Sequence, residues 1–384
     1  ERVDVHAMSA VGERLYEMHF GRPRIASRDE VQELITVAAS EIPGHRFSDS
    51  FLLSEWEQVV DAWGLESWEA YRDVARLGRK TRLTEDRRAV LWSIFSQVRT
   101  GLVNRGFVTE AGMFNLLAGR LRELKNPPFD YVVVDEAQDI SIAQLRFLSA
   151  LGADRPNALF FAGDLGQRIF QQPFSWKALG VDIRGRARNL RINYRTSHQI
   201  RTQADRLLGA QVADVDGNVE ERRGTISVFN GIPPTIRVFD SPEEEIAGVR
   251  DWLAERSREG VKPHEIGVFV RSEAQLDRPI TALIESHIPY VVLDHRLVTR
   301  SGHAALSTMH LAKGLEFRTV VVMACDDEVI PSQNRIESVA DEADLEEVCN
   351  TERHLLYVAC TRARDHLLVT SGGSPSEFLD DLVA

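Results

Sequence analysis

The spacing of apolar and polar positions divides the 384-residue chain into a helical part and a strand-rich part. Val3, Val5 and Ala7 alternate with polar residues within residues 1–9, which predicts a short strand. From residue 10 to residue 125 the apolar positions follow the helical period, and four of the six tryptophans lie in this stretch. Aromatic side chains at helical spacing usually pack inside a core, so we predict a helical region with buried tryptophans.

The rest of the chain, after a helix stop at residues 126–128, alternates short apolar runs with helical patterns. The runs lie at residues 131–134, 158–162, 266–270, 319–324 and 367–370. Continuous apolar runs of this kind are typical of strands that are buried on both faces of a parallel sheet. Residues 242–258 and 274–286 have the helical period. We therefore predict an α/β protein with parallel sheets and a functional site at the carboxyl ends of the strands.

Composition and charge argue against several classes of protein. With 58 acidic and 46 basic residues the formal charge is −12, which argues against binding nucleic acid through bulk charge but not against a local basic groove. No apolar stretch approaches the roughly 18 residues of a membrane span, so no membrane partner is expected. Cys325, Cys349 and Cys360 lack the spacing of a disulfide framework or a zinc site, which favours a reducing, cytoplasmic compartment.

Five segments combine residue types that suit phosphate chemistry. They are Asp135-Glu136-Ala137-Gln138-Asp139, residues 163–170 (GDLGQRIF), 190–197 (LRINYRTS), 307–317 (STMHLAKGLEF) and 356–364 (LYVACTRAR). An acidic pair after a buried strand can hold Mg²⁺ while its second carboxylate polarises an attacking water. Guanidinium groups grip phosphate in a planar, bidentate way and stabilise the charge that develops on its oxygens. These segments, in this order, resemble the motifs of superfamily 1A helicases of the UvrD/Rep/PcrA kind.

The resemblance implies a set of residues that hydrolyse ATP with Mg²⁺. Asp135 looks like the aspartate that holds Mg²⁺ through water, and Glu136 looks like the general base. Gln167 resembles the glutamine that contacts the γ-phosphate. Arg195 is placed like an arginine that reaches the same phosphate, and Arg362 like the arginine finger of the second motor domain. A structural ion pair is the alternative role for each arginine.

Three more residues match positions around the nucleotide. Tyr194 resembles the aromatic residue that packs on adenine. Glu316 resembles the acidic residue near the ribose, and Gly314 matches a residue close to the phosphates.

Five residues match positions of DNA contact, so the implied partner is single-stranded DNA or DNA with a single-stranded tail. His6 lies in a short segment that resembles motif Ib, and His310 and Lys313 fall where the family contacts the DNA strand. Phe170 is an aromatic that could stack on a base. The family's tryptophan two residues further on is missing here, and Phe174 either takes its place or belongs to the core.

The sequence departs from the family because it contains no Walker A loop, G-x-x-x-x-G-K-[ST]. Of the five lysines only Lys80 precedes a serine or threonine, and it follows Arg79 rather than glycine. We therefore expect this chain alone to bind ATP weakly and not to hydrolyse it. The chain starts at Glu1 without methionine, so we expect a fragment whose parent carries the loop upstream. A loop on a separate chain and a degenerate motor are the alternatives.

The resemblance implies two RecA-like (P-loop NTPase) parallel-sheet domains, the first incomplete, with an all-helical insertion. Residues 1–9 and 126–190 correspond to part of motor domain 1A, residues 10–125 to the helical insertion 1B, and residues 191–384 to motor domain 2A. The accessory domain 2B is expected to be absent or reduced to residues 294–302, because the next motif follows the strand at 290–293 almost at once.

The function implied is that of an ATP-dependent 3′–5′ DNA helicase or translocase that acts as a monomer, represented here by a C-terminal fragment. A non-catalytic DNA- or partner-binding module is the rival from another class. A two-metal nuclease is the weaker rival, because the acid-x-lysine triplet Glu123-Leu124-Lys125 lies in a helical pattern without a companion aspartate on a preceding strand.

Overall fold

The structure is a computed structural model that describes most of the chain in two compact units. The described residues are 3–74, 83–153, 155–164, 174–208, 211–213, 219–221, 225–294, 297–337 and 342–383. The first unit holds those up to 164 together with 174–187, and the second holds those from 188 onwards. None of the helices in these ranges has both the length and the apolar character needed to cross a lipid bilayer.

The first unit is mostly helical. Its elements are α1 (Met8–Phe20), α2 (Arg28–Ser40), α3 (Asp49–Glu55), a π-helical turn (Trp56–Asp61), α4 (Trp68–Asp73), α5 (Glu85–Asn104), α6 (Glu110–Glu123), β1 (Val132–Val134), α7 (Ile142–Gly152) and β2 (Leu159–Phe161). The strand predicted within residues 1–9 is wrong, because residues 3–7 are irregular and α1 begins at Met8. Val3 and Val5 are 86% and 89% exposed, so their alternation covers no core.

Two hydrophobic cores stabilise this unit. One lies among α2 to α5 and contains Trp56 and Phe95, with Trp63, Trp68 and Trp92 packed against it, so the prediction of tryptophans in a helical core is confirmed. The other core joins α1 and α6 to α7 and β1 through residues such as Leu15, Phe114, Phe147 and Val134. The helical region therefore divides between two cores, and the bounds of the helical insertion remain a prediction.

Strands β1 and β2 pair in parallel, with Val133 opposite Phe160. The neighbouring positions Val134 and Phe161 face the core that contains α7. Val133 and Phe160 are 73% and 63% exposed, so one face of this short sheet is open to solvent. Parallel sheets are normally covered on both faces, which makes this open apolar face unusual.

The second unit is an α/β domain. Its strands are β3 (Ile192–Asn193), β4 (Gln211–Ala213), β5 (Val219–Glu221), β6 (Ile226–Ser227), β7 (Thr235–Phe239), β8 (Ile266–Val270), β9 (Tyr290–Val292), β10 (Ala304–Thr308), β11 (Phe317–Val322) and β12 (Ala363–Gly372). Its helices are α8 (His198–Ala204), α9 (Pro242–Arg258), α10 (Asp277–Glu285), α11 (Gln333–Glu337), α12 (Glu342–Cys360) and α13 (Phe378–Val383).

Six of these strands form one parallel sheet in the order β7-β12-β11-β8-β10-β9. All five residues of β8 are buried, as the continuous apolar run predicted. The α/β fold class is thereby confirmed, and the parallel sheet agrees with a RecA-like domain. Among the described residues of this unit, β3 also pairs in parallel with β6, and β4 pairs antiparallel with β5.

The helices of this unit follow local sequence signals. Helix α9 has the predicted bounds, because Ser241 caps it, Pro242 opens it and three glutamates occupy its first turn. Helix α10 begins at Asp277, since Glu273–Gln275 form a separate 3-10 turn before it. Strands β9 and β10 are adjacent and parallel, and only residues 293–303 connect them.

Candidate nucleotide and DNA site

In the first unit, the acidic pair directly follows β1. Asp135 and Glu136 are both exposed, and Asp135 Oδ1 accepts a hydrogen bond from the Glu136 N–H at 2.9 Å. Glu136 has a left-handed backbone with a φ of 53°, after which the chain enters the 3-10 turn Ala137–Asp139. This sharp turn places both carboxylates at the carboxyl end of the strand, where the sequence predicted a site.

A residue without a predicted role, Gln138, connects the acidic pair to the end of β2. Its side-chain nitrogen donates to Glu136 Oε2, and its Oε1 accepts from the Asp164 N–H at 3.0 Å. Gly163 packs so closely that a Cβ there would lie 2.5 Å from Gln138 Oε1. Gln138 is 6% exposed, so this connection is buried. It depends on the pairing of β1 with β2, which a local sequence pattern does not reveal.

The other predicted residues of this part of the chain are His6, Gln167, Phe170 and Phe174. Gln167 and Phe170 lie outside the described residues. Phe174 is 3% exposed and belongs to the core that contains α7, so the structure favours its core role over base stacking. A ring that already packs among apolar side chains has no free face for a base. His6 is exposed in the irregular segment before α1.

In the second unit, a side-chain-capped turn presents Tyr194 and Arg195. Asn193 Oδ1 accepts hydrogen bonds from the Arg195 N–H at 2.8 Å and from the Thr196 N–H at 3.3 Å. Asparagine commonly shapes turns in this way, although its role was not predicted here. The Tyr194 side chain is 71% exposed, so its ring is open to a stacking partner.

Arg195 and Glu316, which are far apart in the sequence, form an ion pair. Arg195 Nε lies 2.9 Å from Glu316 Oε2, and both side chains are nearly half exposed. Gly314, two residues before Glu316, has a φ of 77°, a conformation that favours glycine. The turn at Gly314 therefore helps to place Glu316 beside Arg195.

Arg362 is buried in the second unit, with only 1% of its surface exposed. Its Nε donates to the Val358 carbonyl at 3.0 Å, and one terminal nitrogen donates to the Leu315 carbonyl at 3.4 Å. The guanidinium therefore holds the loop that carries Gly314 and Glu316. A finger role requires this group to leave these carbonyls and meet a phosphate, and that role stays a prediction.

Backbone hydrogen bonds join the three motif segments of this unit. The Ser197 N–H donates to the Arg364 carbonyl at 3.1 Å, and the Phe317 N–H donates to the Arg362 carbonyl at 3.0 Å. The segments 190–197, 307–317 and 356–364 thus meet at one place, although more than 100 residues separate the first from the second. Phe317 begins β11 and Ala363 begins β12, so these contacts lie at the amino ends of the two strands. In the second unit the prediction of a site at the carboxyl ends is therefore wrong for Glu316 and Arg362, which directly precede the two strands.

His310 and Lys313 lie in one short stretch after β10, and His310 belongs to the 3-10 turn Met309–Leu311. Burial and the nearby Arg271 guanidinium lower the pKa of His310 to about 4. Its imidazole is therefore neutral near pH 7, so it can contact DNA as a hydrogen-bonding or stacking group but not as a cation.

Two buried charged residues, Arg271 and Glu352, and the partly exposed Arg335 lie near His310. Arg271 donates to both oxygens of Glu352, with one contact at 2.6 Å, and Arg335 reaches the same carboxylate at 2.9 Å. Glu352 is fully buried. The sequence did not predict this cluster, because its members lie on β8's carboxyl end, α11 and α12 and meet only in the fold.

An α/β unit whose phosphate-type motifs meet at the strand ends is typical of nucleotide-binding motors. Comparison with protein families gives a more specific result: residues 113–175 match the UvrD/REP helicase N-terminal domain, and residues 296–373 match the UvrD-like helicase C-terminal domain. The resemblance to UvrD/PcrA-type helicases is thereby confirmed.

Individual proteins show the same similarity. A probable DNA helicase of Mycoplasma pneumoniae is 26% identical over 256 residues, which is 63% of this chain and 43% of that protein. A putative ATP-dependent DNA helicase, YjcD, of Bacillus subtilis is 33% identical over 127 residues, or 32% of this chain and 16% of that protein. The ATP-dependent DNA helicase PcrA of Staphylococcus epidermidis is 36% identical over 95 residues, or 22% and 12%. The matched region covers less than half of each relative.

Proposed function

We propose that the chain supplies most of the motor of an ATP-dependent DNA helicase or translocase that moves 3′–5′ on single-stranded DNA. The observation that carries this proposal is the meeting of three motif segments in the second unit, with Arg195 paired to Glu316. Guanidinium groups suit a nucleotide's phosphates, and a carboxylate suits the hydroxyl groups of its ribose. The similar proteins of Mycoplasma pneumoniae and Staphylococcus epidermidis are named as DNA helicases, which supports a helicase activity.

The first unit contributes the water-activating group in this proposal. Glu136 is the general base, and Gln138 orients its carboxylate through the hydrogen bond to Oε2. Asp135 is an exposed carboxylate, and such oxygens together with water are the ligands that Mg²⁺ prefers. When bound, the ion would neutralise charge on the phosphate oxygens.

The second unit binds the nucleotide and the DNA strand. The exposed Tyr194 ring stacks on adenine, and Arg195 exchanges its Glu316 partner for the γ-phosphate while Glu316 meets the ribose. Lys313 and the neutral His310 contact the strand. Arg362 acts as the finger after it leaves the Leu315 carbonyl.

A Walker A loop from outside this sequence, on the same polypeptide or on another, completes the site. None of the five lysines fits the motif, so the 384 residues alone do not hydrolyse ATP. The open apolar face of β1 and β2, with Val133 and Phe160 more than half exposed, is a surface on which a loop-bearing segment packs. We also propose that the protein is cytoplasmic and monomeric.

Phosphate release in the presence of single-stranded DNA tests this function. The 384-residue chain is expected to release none, and the full-length gene product is expected to turn over ATP in a DNA-dependent way. Vigorous turnover by the chain alone would refute the requirement for an external loop. Salt-sensitive DNA binding without any nucleotide effect in the full-length product would instead favour the non-catalytic module.

A further inference from the structure

A wide groove in the first unit is lined by five arginines and has no assigned role. It has a volume of about 1090 Å³ and lies among α1, α5, α6 and α7. The arginines that line it are Arg22, Arg24, Arg99, Arg122 and Arg146. We call it the arginine groove. Its acidic lining residues are Asp61 and Glu66, so its balance is positive although the whole chain is acidic.

Three of the arginines are held by the protein itself. Arg24 donates to the Arg105 carbonyl, Arg99 to the Leu65 carbonyl and Arg146 to the Trp63 carbonyl. Arg22 and Arg122 form no ion pair or hydrogen bond with the part of the chain that the structure describes. These two guanidinium groups therefore keep their full capacity to bind an anion.

Arg122 and Arg146 are close enough to repel each other. Burial and the Arg122 charge both lower the pKa of Arg146, and within the described ranges no carboxylate pairs with either guanidinium. Like charges that face one concave surface raise the local concentration of anions. A phosphate between the two groups would remove their repulsion.

Apolar side chains lie beside these charges. Phe20 and Leu116 line the groove and are 46% and 45% exposed, and the rings of Tyr16 and Phe20 lie 4.9 Å apart. An acidic peptide would use the arginines but not the aromatic surface. A nucleic acid strand uses both, because its phosphates pair with guanidinium groups and its bases stack on rings.

We propose that the arginine groove binds a few nucleotides of single-stranded nucleic acid, with phosphates at Arg122 and Arg146 and bases on the Tyr16 and Phe20 rings. The groove is about as large as the upper range of small-molecule pockets, roughly 1000 Å³, which suits a few nucleotides and not a duplex. The inference rests on the proposed function, because it adds a second contact region for the same DNA strand.

Arg122→Ala and Arg120→Ala form a matched pair that tests the groove. Arg120 lies one half-turn earlier on α6, pairs with Glu123 at 2.9 Å and does not line the groove. Binding of fluorescent oligo-dT to the 384-residue protein is measured between about 50 and 200 mM NaCl. Arg122→Ala is expected to weaken binding several-fold at low salt and to reduce the slope of log K against log salt by about 0.7, the value for one phosphate contact. Arg120→Ala is expected to leave both unchanged.

Two further measurements separate the possible failures. Phe20→Ala is expected to weaken oligo-dT binding by about five-fold or more, and poly-L-glutamate is expected not to compete. Equal behaviour of the two arginine variants while Lys313→Ala weakens binding would overturn the groove and leave the proposed function standing. No binding of oligo-dT at all would overturn both, and equal binding of poly-L-glutamate would replace the nucleic acid with an acidic polypeptide.

Discussion

At the scale of single residues, Asp61 shows how burial sets a pH dependence. Burial raises the pKa of Asp61 to about 6, and its Oδ1 accepts a 2.6 Å hydrogen bond from the Thr109 hydroxyl. The folded protein therefore holds this proton more tightly than the unfolded chain. Asp61 therefore adds to the free energy of unfolding at pH values below the ordinary pKa of an aspartate, and this contribution is lost as the pH rises through about 6.

Asp61→Asn is expected to raise the free energy of unfolding by roughly 1–3 kcal/mol at about pH 8, because a neutral amide avoids the cost of a buried charge and its oxygen still accepts from Thr109. At about pH 4 the variant and the parent are expected to be equally stable, since the carboxyl group is then protonated. Urea unfolding at the two pH values measures both differences. A variant less stable than the parent at the higher pH would contradict this account of Asp61.

At the scale of elements, α1 and α6 approach each other closely at Gly12. A Cβ built on Gly12 would lie 2.7 Å from Met113 Cε and 2.8 Å from the Phe114 ring. Gly12→Ala is therefore expected to destabilise the protein by roughly 1–3 kcal/mol. Gly119 in α6 is the matched control, because a Cβ built there would have no neighbour within 4 Å. Gly119→Ala is expected to raise the free energy of unfolding by at most about 1 kcal/mol, since alanine favours a helix over glycine. Thermal unfolding of both variants measures these changes, and a Gly12→Ala protein at least as stable as the parent would contradict the close packing of α1 on α6.

The buried cluster around Glu352 connects the carboxyl end of β8 to α11 and α12. Glu352→Ala leaves the Arg271 guanidinium without its bidentate partner in a site where Arg271 is 7% exposed. Glu352→Ala is therefore expected to lower the free energy of unfolding by about 3–5 kcal/mol, because it leaves a buried charge without its partner. Glu285, which pairs with Arg250 at 3.4 Å on the surface, is the control, and Glu285→Ala is expected to cost at most about 1 kcal/mol. Equal small losses in urea unfolding would mean that Glu352 is not essential to this junction.

The scale of the whole molecule shows which features follow from the sequence. Strands such as β8 and β11 could be predicted because a strand that is buried on both faces is a continuous apolar run, which is visible in the sequence without knowing its neighbouring strands. The strand predicted from the alternation within residues 1–9 is wrong, because alternation specifies a strand only where one of its two faces covers a core. At the site, the acidic pair was located from its place after β1, and the motif segments from the family resemblance.

Other features of the site depend on tertiary contacts. Gln138 bridges two strand ends, and no spacing in the sequence shows which strands pair. Phe174 has a residue type that serves a ligand or a core equally well, and only its 3% exposure favours the core role. Arg362 is 1% exposed, a burial that its sequence did not show, and its finger role stays a prediction. Asn193 shapes the turn that presents Tyr194 and Arg195, because its Oδ1 accepts the Arg195 N–H. An asparagine directly before Tyr194 is a turn signal, so this role could have been predicted from the sequence.

The central claim is that Glu136 is the base of an ATP-driven motor. Steady-state phosphate release by the full-length gene product, with saturating ATP and single-stranded DNA, tests it through Glu136→Gln beside the surface control Glu123→Gln. We expect Glu136→Gln to lower kcat by about 100-fold or more while nucleotide binding persists, because loss of a general base removes a gain of that order. Glu123→Gln is expected to keep the parent rate. A Glu136→Gln protein that turns over ATP as fast as the control would contradict the account.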